Sequence, residues 1–167
     1  MALKIFQANS LPEVIVARPF NILGPGMSEK LFLGSFASQI AKIEKGLLPP
    51  VLKVGNLKSI RDFLSVEHVA SSLLVLADKG LSGQVYNICS GYPMKIKDIL
   101  DILIKYSKVK IEVMVDKSRT KNKDVSWNVG DNTKISGLEK ICFSKEGIMK
   151  TVESTLNWYR GKVNNEN

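Results

Sequence analysis

Histidine occurs once in this chain and cysteine only twice. Cys89 and Cys142 lie far apart, with no neighbouring histidine or cysteine, which argues against a zinc cluster and a disulfide framework. Both are expected to be buried apolar fillers. The lone His68 falls inside an amphipathic stretch, with no Ser or Cys elbow beside it, and reads as a helix residue rather than a general base. No apolar run reaches the roughly 18–20 residues that span a bilayer. The N-terminus, MALKIFQANS, has no signal-peptide apolar region, so a cytoplasmic location is expected. Neither G-x-G-x-x-G nor G-x-x-x-x-G-K-S/T occurs, so the sequence carries no dinucleotide fingerprint and no P-loop. Repeats and low-complexity tracts are missing too, apart from the polar ending VNNEN.

What is present suits a single domain of 167 residues, 44% hydrophobic and 24% charged. The net charge of +8 is concentrated locally. Between residues 105 and 123, Lys105, Lys108, Lys110, Lys117, Arg119, Lys121 and Lys123 face only Glu112 and Asp116. Such a segment is a solvated face, a site for a phosphorylated ligand, or a nucleic-acid surface. No interleaved aromatics or recognisable module supports the last, so no nucleic-acid partner is expected.

Hydrophobic spacing alternates between two periods. Residues 3–9 look like the tail of a helix. EVIVAR (13–18) reads as a buried strand, and PFNILGPG as the loop after it. Residues 28–45 show helical spacing through Phe32, Phe36, Ile40 and Ile43, with Gly46 as the stop. A short strand follows in LLPPVLKVGN. SIRDFLSV (59–66) is extended, and Ser65 can cap a helix over 66–79 whose buried face would be Val66, Val69, Leu73 and Leu76. QVYNICSG (84–91) is a second strand that breaks into a glycine loop. Residues 96–107 form an amphipathic helix, IEVMV (111–115) a third strand, and 116–133 a polar, basic loop. Ser144 can cap a last helix with Ile148, Val152, Leu156 and Tyr159 inward. Strands alternating with helices indicate an α/β fold, and ligands bind where parallel strands end.

Asn21 follows a strand, Lys53 lies on the short strand, Arg61 sits in an extended segment, and Arg119 and Lys121 occupy the basic loop. Arg binds phosphate through a planar fork and Lys as a point charge, so these groups, if they converge, can hold a diphosphate. Asp62 and Glu67 are available as paired carboxylates, but nothing marks them for that role.

Five ordered blocks carry a family likeness. ARPFNILGPG resembles the R-x-F-N-x-x-G-P segment of the extended short-chain dehydrogenase/reductase (NAD-dependent epimerase/dehydratase) family of nucleotide-sugar enzymes. KVGNLKSIRDFLSVEHVASSLLVL, GQVYNICSGYPMKIKDILDIL, VGDNTKISGLEK and the ending TLNWYR resemble that family's later blocks, in the right order. The likeness is greatest to its GDP-mannose branch of dehydratases and reductases. Such enzymes bind NAD or NADP in an N-terminal Rossmann half and the nucleotide sugar in a C-terminal half. A Tyr-x-x-x-Lys pair transfers the proton.

The resemblance implies the C-terminal part of a Rossmann-type enzyme. Two residual parallel strands (about 13–26 and 84–91) would accompany a small mixed α/β substrate-binding domain, with the dinucleotide-binding half outside this sequence. It implies Pro19 beside the nicotinamide, and Asn21, Phe32, Lys53, Val54, Arg61, Arg119 and Lys121 around a GDP-sugar. Lys121 and Asn122 stand where the family has Arg and Pro, which keeps the charge but loses the fork. The expected family cofactor is NAD or NADP, with none bound by this chain alone, and no catalytic residue is assigned. Tyr106 and Lys110 fit Tyr-x-x-x-Lys formally, yet they follow the wrong helix and are read as structural. The expected partners are a GDP-sugar and either a second copy or another protein covering the open sheet edge, with no membrane. The alternative reading is a noncatalytic assembly module that pairs with a separate Rossmann half.

Overall fold

A computed structural model describes residues 14–116, 118, 125–139 and 144–165. In chain order it contains β1 (Val16–Pro19), β2 (Asn21–Leu23), α1 (Phe32–Glu44), β3 (Val51–Val54), β4 (Ile60–Ser65) and α2 (Val66–Lys79). Then come β5 (Val85–Ile88), β6 (Pro93–Lys95), α3 (Ile96–Tyr106), β7 (Glu112–Val115), β8 (Trp127–Asn128), α4 (Thr133–Ser136) and α5 (Lys145–Asn165). The expected helix tail at 3–9 lies outside the described residues, as do Arg119, Lys121 and Cys142.

The two strands foreseen as a parallel pair do pair: β1 runs beside β5, from Val16 opposite Val85 to Pro19 opposite Ile88. A second sheet is mixed. β4 is parallel to β2 and β8 and antiparallel to β6. β3 and β7 form a third, parallel pair. The fold is therefore mixed α/β.

Helix boundaries follow local chemistry. Ser65 Oγ accepts from His68 N at 3.1 Å and opens α2, as its position suggested. Gly46, at φ +77, ends α1 in the left-handed region that a side chain disfavours. Ser144 Oγ accepts from Gly147 N at 3.2 Å at the start of α5.

Two cores result. The larger gathers Phe36 and Ile40 of α1, Leu52 and Val54 of β3, Leu103 of α3, and Val152 and Leu156 of α5. The smaller holds Leu64, Val69, Leu76, Tyr86, Ile88 and Ile135. All four expected α5 positions are buried.

Four expectations need correction. EVIVAR is not a buried strand: β1 has Val16 and Ala17 half-buried and Arg18 and Pro19 exposed, because β5 is its one strand partner among the described residues. PFNILGPG is not loop throughout, because Asn21–Leu23 forms a strand held by β4. The polar stretch 116–133 contains β8 and begins α4. The α2 face differs as well: Val69, Ser72 and Leu76 are buried, while Val66 and Leu73 are 45% and 47% exposed. That helix is apolar on more than one side, so its spacing could not say which side met the core.

Candidate functional site

Asp62 lies within β4 and is completely buried. A carboxylate in such a place needs partners, since an unpaired buried charge is very costly. Asp62 Oδ1 accepts from Ser90 N at 2.8 Å and from Ser90 Oγ at 2.7 Å. Its Oδ2 accepts from Gly91 N at 2.9 Å and Gly130 N at 3.2 Å. These four donors come from the turn after β5 and the turn after β8, so one side chain gathers both turns onto β4. Close approach demands glycine there: a Cβ on Gly130 would stand 2.5 Å from Cys89 Sγ and 2.7 Å from Phe20 Cζ. Asn132 Nδ2 donates to Ser90 O at 3.0 Å and closes the cluster.

The Asp62 backbone also sets the neighbouring strand. Its carbonyl accepts from Asn21 Nδ2 at 2.8 Å, which fixes the side-chain amide of Asn21. Asn21 lines an open depression of about 380 Å³ with Arg18, Pro19, Phe20, Asn87 and Asn128. Pro19 ends β1 there, and β5 carries Asn87 opposite Arg18. Arg61 pairs with Asn128 across the β4–β8 ladder and donates from Nη1 to Ile60 O at 2.8 Å.

A larger groove of about 610 Å³ runs beside α1, between its first three turns and Gly55–Asn56. Phe32 lines it and stacks at 5.4 Å, centroid to centroid, on Phe63 of β4. Gln39 also lines it and clamps β3: Lys53 N donates to Gln39 Oε1 at 3.0 Å, and Gln39 Nε2 donates to Lys53 O at 3.1 Å. Lys42 and Lys30 lend the rim positive charge, opposed by Glu29, which pairs with Lys42 at 3.4 Å. Ser38 belongs to the wall, and among the described residues its hydroxyl is the one buried side-chain polar atom without a partner.

Two titratable groups are shifted nearby. Burial pushes the Cys89 thiol up to about 11, helped by the negative charges of Asp62 and Asp131. Burial lowers His68, which keeps that imidazole neutral further into the acid range and gives it no basic poise.

Pro19 and Asn21 thus line one open depression, Arg61 is in register with Asn128 of that depression, and Phe32 meets Phe63, the residue opposite Asn21. Lys53 is exposed on β3, and Val54 points into the core at 0% exposure. Sequence reasoning missed Gln39, Asn87, Asn128 and Ser38, as well as the anchoring role of Asp62. An acidic residue in mid-strand, directly before Phe63 and Leu64, was the available signal for the last. Tyr106 packs half-buried against the larger core, its carbonyl accepting from Arg160 at 2.8 Å, and Lys110 is exposed beyond α3.

Comparison with known proteins places this geometry. The model of the NAD dependent epimerase/dehydratase family matches residues 2–89. The chain is 42% identical over 106 residues to GDP-6-deoxy-D-mannose reductase of Pseudomonas aeruginosa, covering 64% of this chain and 35% of that protein. It is 28% identical over 122 residues to GDP-6-deoxy-D-talose 4-dehydrogenase of Aggregatibacter actinomycetemcomitans, covering 73% and 40%. The solved structure of RMD from Pseudomonas aeruginosa complexed with NADPH superposes with a TM-score of 0.85 at 29% identity, over 96% of this chain and 52% of that one. The chain spans well under half the length of these two curated relatives.

Proposed function

Since this chain belongs to the NAD-dependent epimerase/dehydratase family, we propose that it supplies the nucleotide-sugar-binding part of an NAD(P)-dependent GDP-sugar reductase or dehydratase. The observation that carries this is that Asn21 lines the open depression with Asn128, the residue in register with Arg61, while Phe63, opposite Asn21, meets Phe32 of the α1 groove. In this reading Arg61 meets the diphosphate, with Arg119 and Lys121 of the basic loop as further cations. Asn21 orients the ligand through its fixed amide. The α1 groove, with Phe32 and Gln39 on one wall and Gly55–Asn56 opposite, takes the nucleoside.

The donor set fits a whole dinucleotide poorly. The sequence has no G-x-G-x-x-G, and around Pro19 the polar groups are Arg18 and three side-chain amides. This chain's residues would border only the nicotinamide end, and no chemical step is derived through the cofactor. Family chemistry would supply hydride transfer when NAD(P) is bound, while these residues bind and orient the sugar nucleotide.

Titration calorimetry with GDP-mannose, GDP, UDP-glucose and NADP tests the reading. Heat with the GDP ligands, and weaker heat with UDP-glucose, is expected. No heat with any nucleotide overturns it.

One observation favours a second reading, an assembly module that pairs with a separate dinucleotide-binding half. The outer face of α2 and the turn after it leave Leu73, Leu74 and Leu81 47%, 73% and 65% exposed, more contiguous apolar surface than a solvated helix needs. Mixing with such a half and assaying turnover separates the two readings, because restored turnover would favour this one.

A further inference from the structure

β7 lies at the margin of the parallel β3–β7 pair, and β3 is its one strand partner among the described residues. Its backbone groups alternate in direction. Glu112 N donates to Pro50 O at 2.9 Å and Asp116 N to Val54 O at 2.8 Å, so Glu112, Met114 and Asp116 turn their amides and carbonyls toward β3. Those of Ile111, Val113 and Val115 point the other way, along the open margin. The side chains are uncovered as well: Val113, Met114 and Val115 are 40%, 48% and 58% exposed. An apolar margin with outward amides is a template for another strand.

The chemistry of the margin indicates which strand. We propose that β7 pairs antiparallel with β7 of a second copy of this chain, about a two-fold axis at Val113. Only residues whose backbone groups face outward can exchange hydrogen bonds, so Ile111, Val113 and Val115 must oppose one another. Charge then separates the registers centred on Glu112, Val113 and Met114, which keep the pairing within the described strand. An axis at Glu112 sets that carboxylate against its own copy. An axis at Met114 sets Glu112 against Asp116. An axis at Val113 puts Lys110 opposite Asp116 on both sides of the axis, Glu112 opposite Met114, and Ile111 opposite Val115, with no like charges facing. Registers nearer α3 need the backbone of Val109, and Ser107 Oγ already engages its amide at 3.3 Å and its carbonyl at 2.9 Å.

The contact is small, so a concentration-dependent monomer–dimer equilibrium follows rather than a permanent dimer. Sedimentation velocity of the whole chain, over about a hundredfold range of concentration, reads it. Lys110→Glu and Asp116→Lys should each weaken self-association about tenfold or more, and the double exchange should restore it. Under mild oxidation Val113→Cys should form an intermolecular disulfide, since facing residues of such a pair lie about 5.5 Å apart at Cα. Met114→Cys should cross-link far more slowly, being displaced from its own copy. Circular dichroism confirms that each variant is folded. A wild-type chain that stays monomeric throughout overturns the proposal. So does a dimer that ignores both charge variants, or one in which Met114→Cys cross-links as fast as Val113→Cys.

Discussion

At the scale of single residues, Asp62 shows how one buried carboxylate can organise a candidate site by gathering two turns onto a strand. Four donors from two turns converge on its carboxylate. Asp62→Asn would turn an amide NH2 toward one or two of those donors and leave them unpaired. A loss of about 2–4 kcal/mol is expected in urea unfolding. A change below about 1 kcal/mol would mean that the turns are held by something else. Cys89 is the neighbouring test. It is fully buried and its thiol is pushed up to about 11, so the reactive thiolate is scarce at ordinary pH. Iodoacetamide at pH 8 should leave Cys89 unmodified in the folded chain and modify it quickly in denaturant, as read by peptide mass spectrometry. Asn21 and Arg61 were singled out in the sequence because short motifs carry them. The role of Asp62 was not, because its partners lie 28 to 68 residues further along the chain.

Three helices are joined at one point by a side-chain staple. Arg160 of α5 donates from Nε to Glu44 Oε2 at 2.7 Å and from Nη2 to Glu44 Oε1 at 2.8 Å, and Nη2 also reaches the last carbonyl of α3 at 2.8 Å. Glu44 is 8% exposed and Arg160 18% in their side chains, so this pair is far better shielded than the surface pairs. Burial alone would raise the Glu44 carboxyl, but the hydrogen bond from Arg160, the Lys108 amide and the two positive charges outweigh it and hold it below its usual value. The staple contributes fully above the unfolded carboxylate value of about 4.3 and is lost as pH falls through the lower folded value. Arg160→Ala should cost roughly 2–3 kcal/mol at pH 7. Wild-type stability should fall more steeply than that of Glu44→Gln as the pH is taken below about 4.3, followed by thermal melts. The long helices that meet here were legible from spacing and caps, because apolar periodicity over three or more turns is a local signal. β2, β6 and β8 were not, since strands of two or three residues exist only through their partners on β4.

Over the whole molecule the apolar surface is uneven. Leu73, Leu74 and Leu81 stand exposed around α2, and β7 forms a separate exposed margin. Replacing Leu73 and Leu74 by serine should reduce the fluorescence of a bound hydrophobic dye by about half, while unfolding free energy changes by about 0.5 kcal/mol or less. A drop of several kcal/mol would show that these leucines belong to a core after all. The chain's α/β class, its family, its four long helices and the caps at Ser65 and Ser144 were determined by the sequence itself. Those features rest on local periodicity, on capping chemistry and on motifs read within a few residues. Tertiary structure alone decided which side of α2 meets the core, how short strands are gathered onto β4, and that a carboxylate in mid-strand holds the turns around the candidate site. Each of these depends on contacts between residues distant in the chain, and a one-dimensional pattern cannot rank them, because their free energy exists only once the partners are brought together.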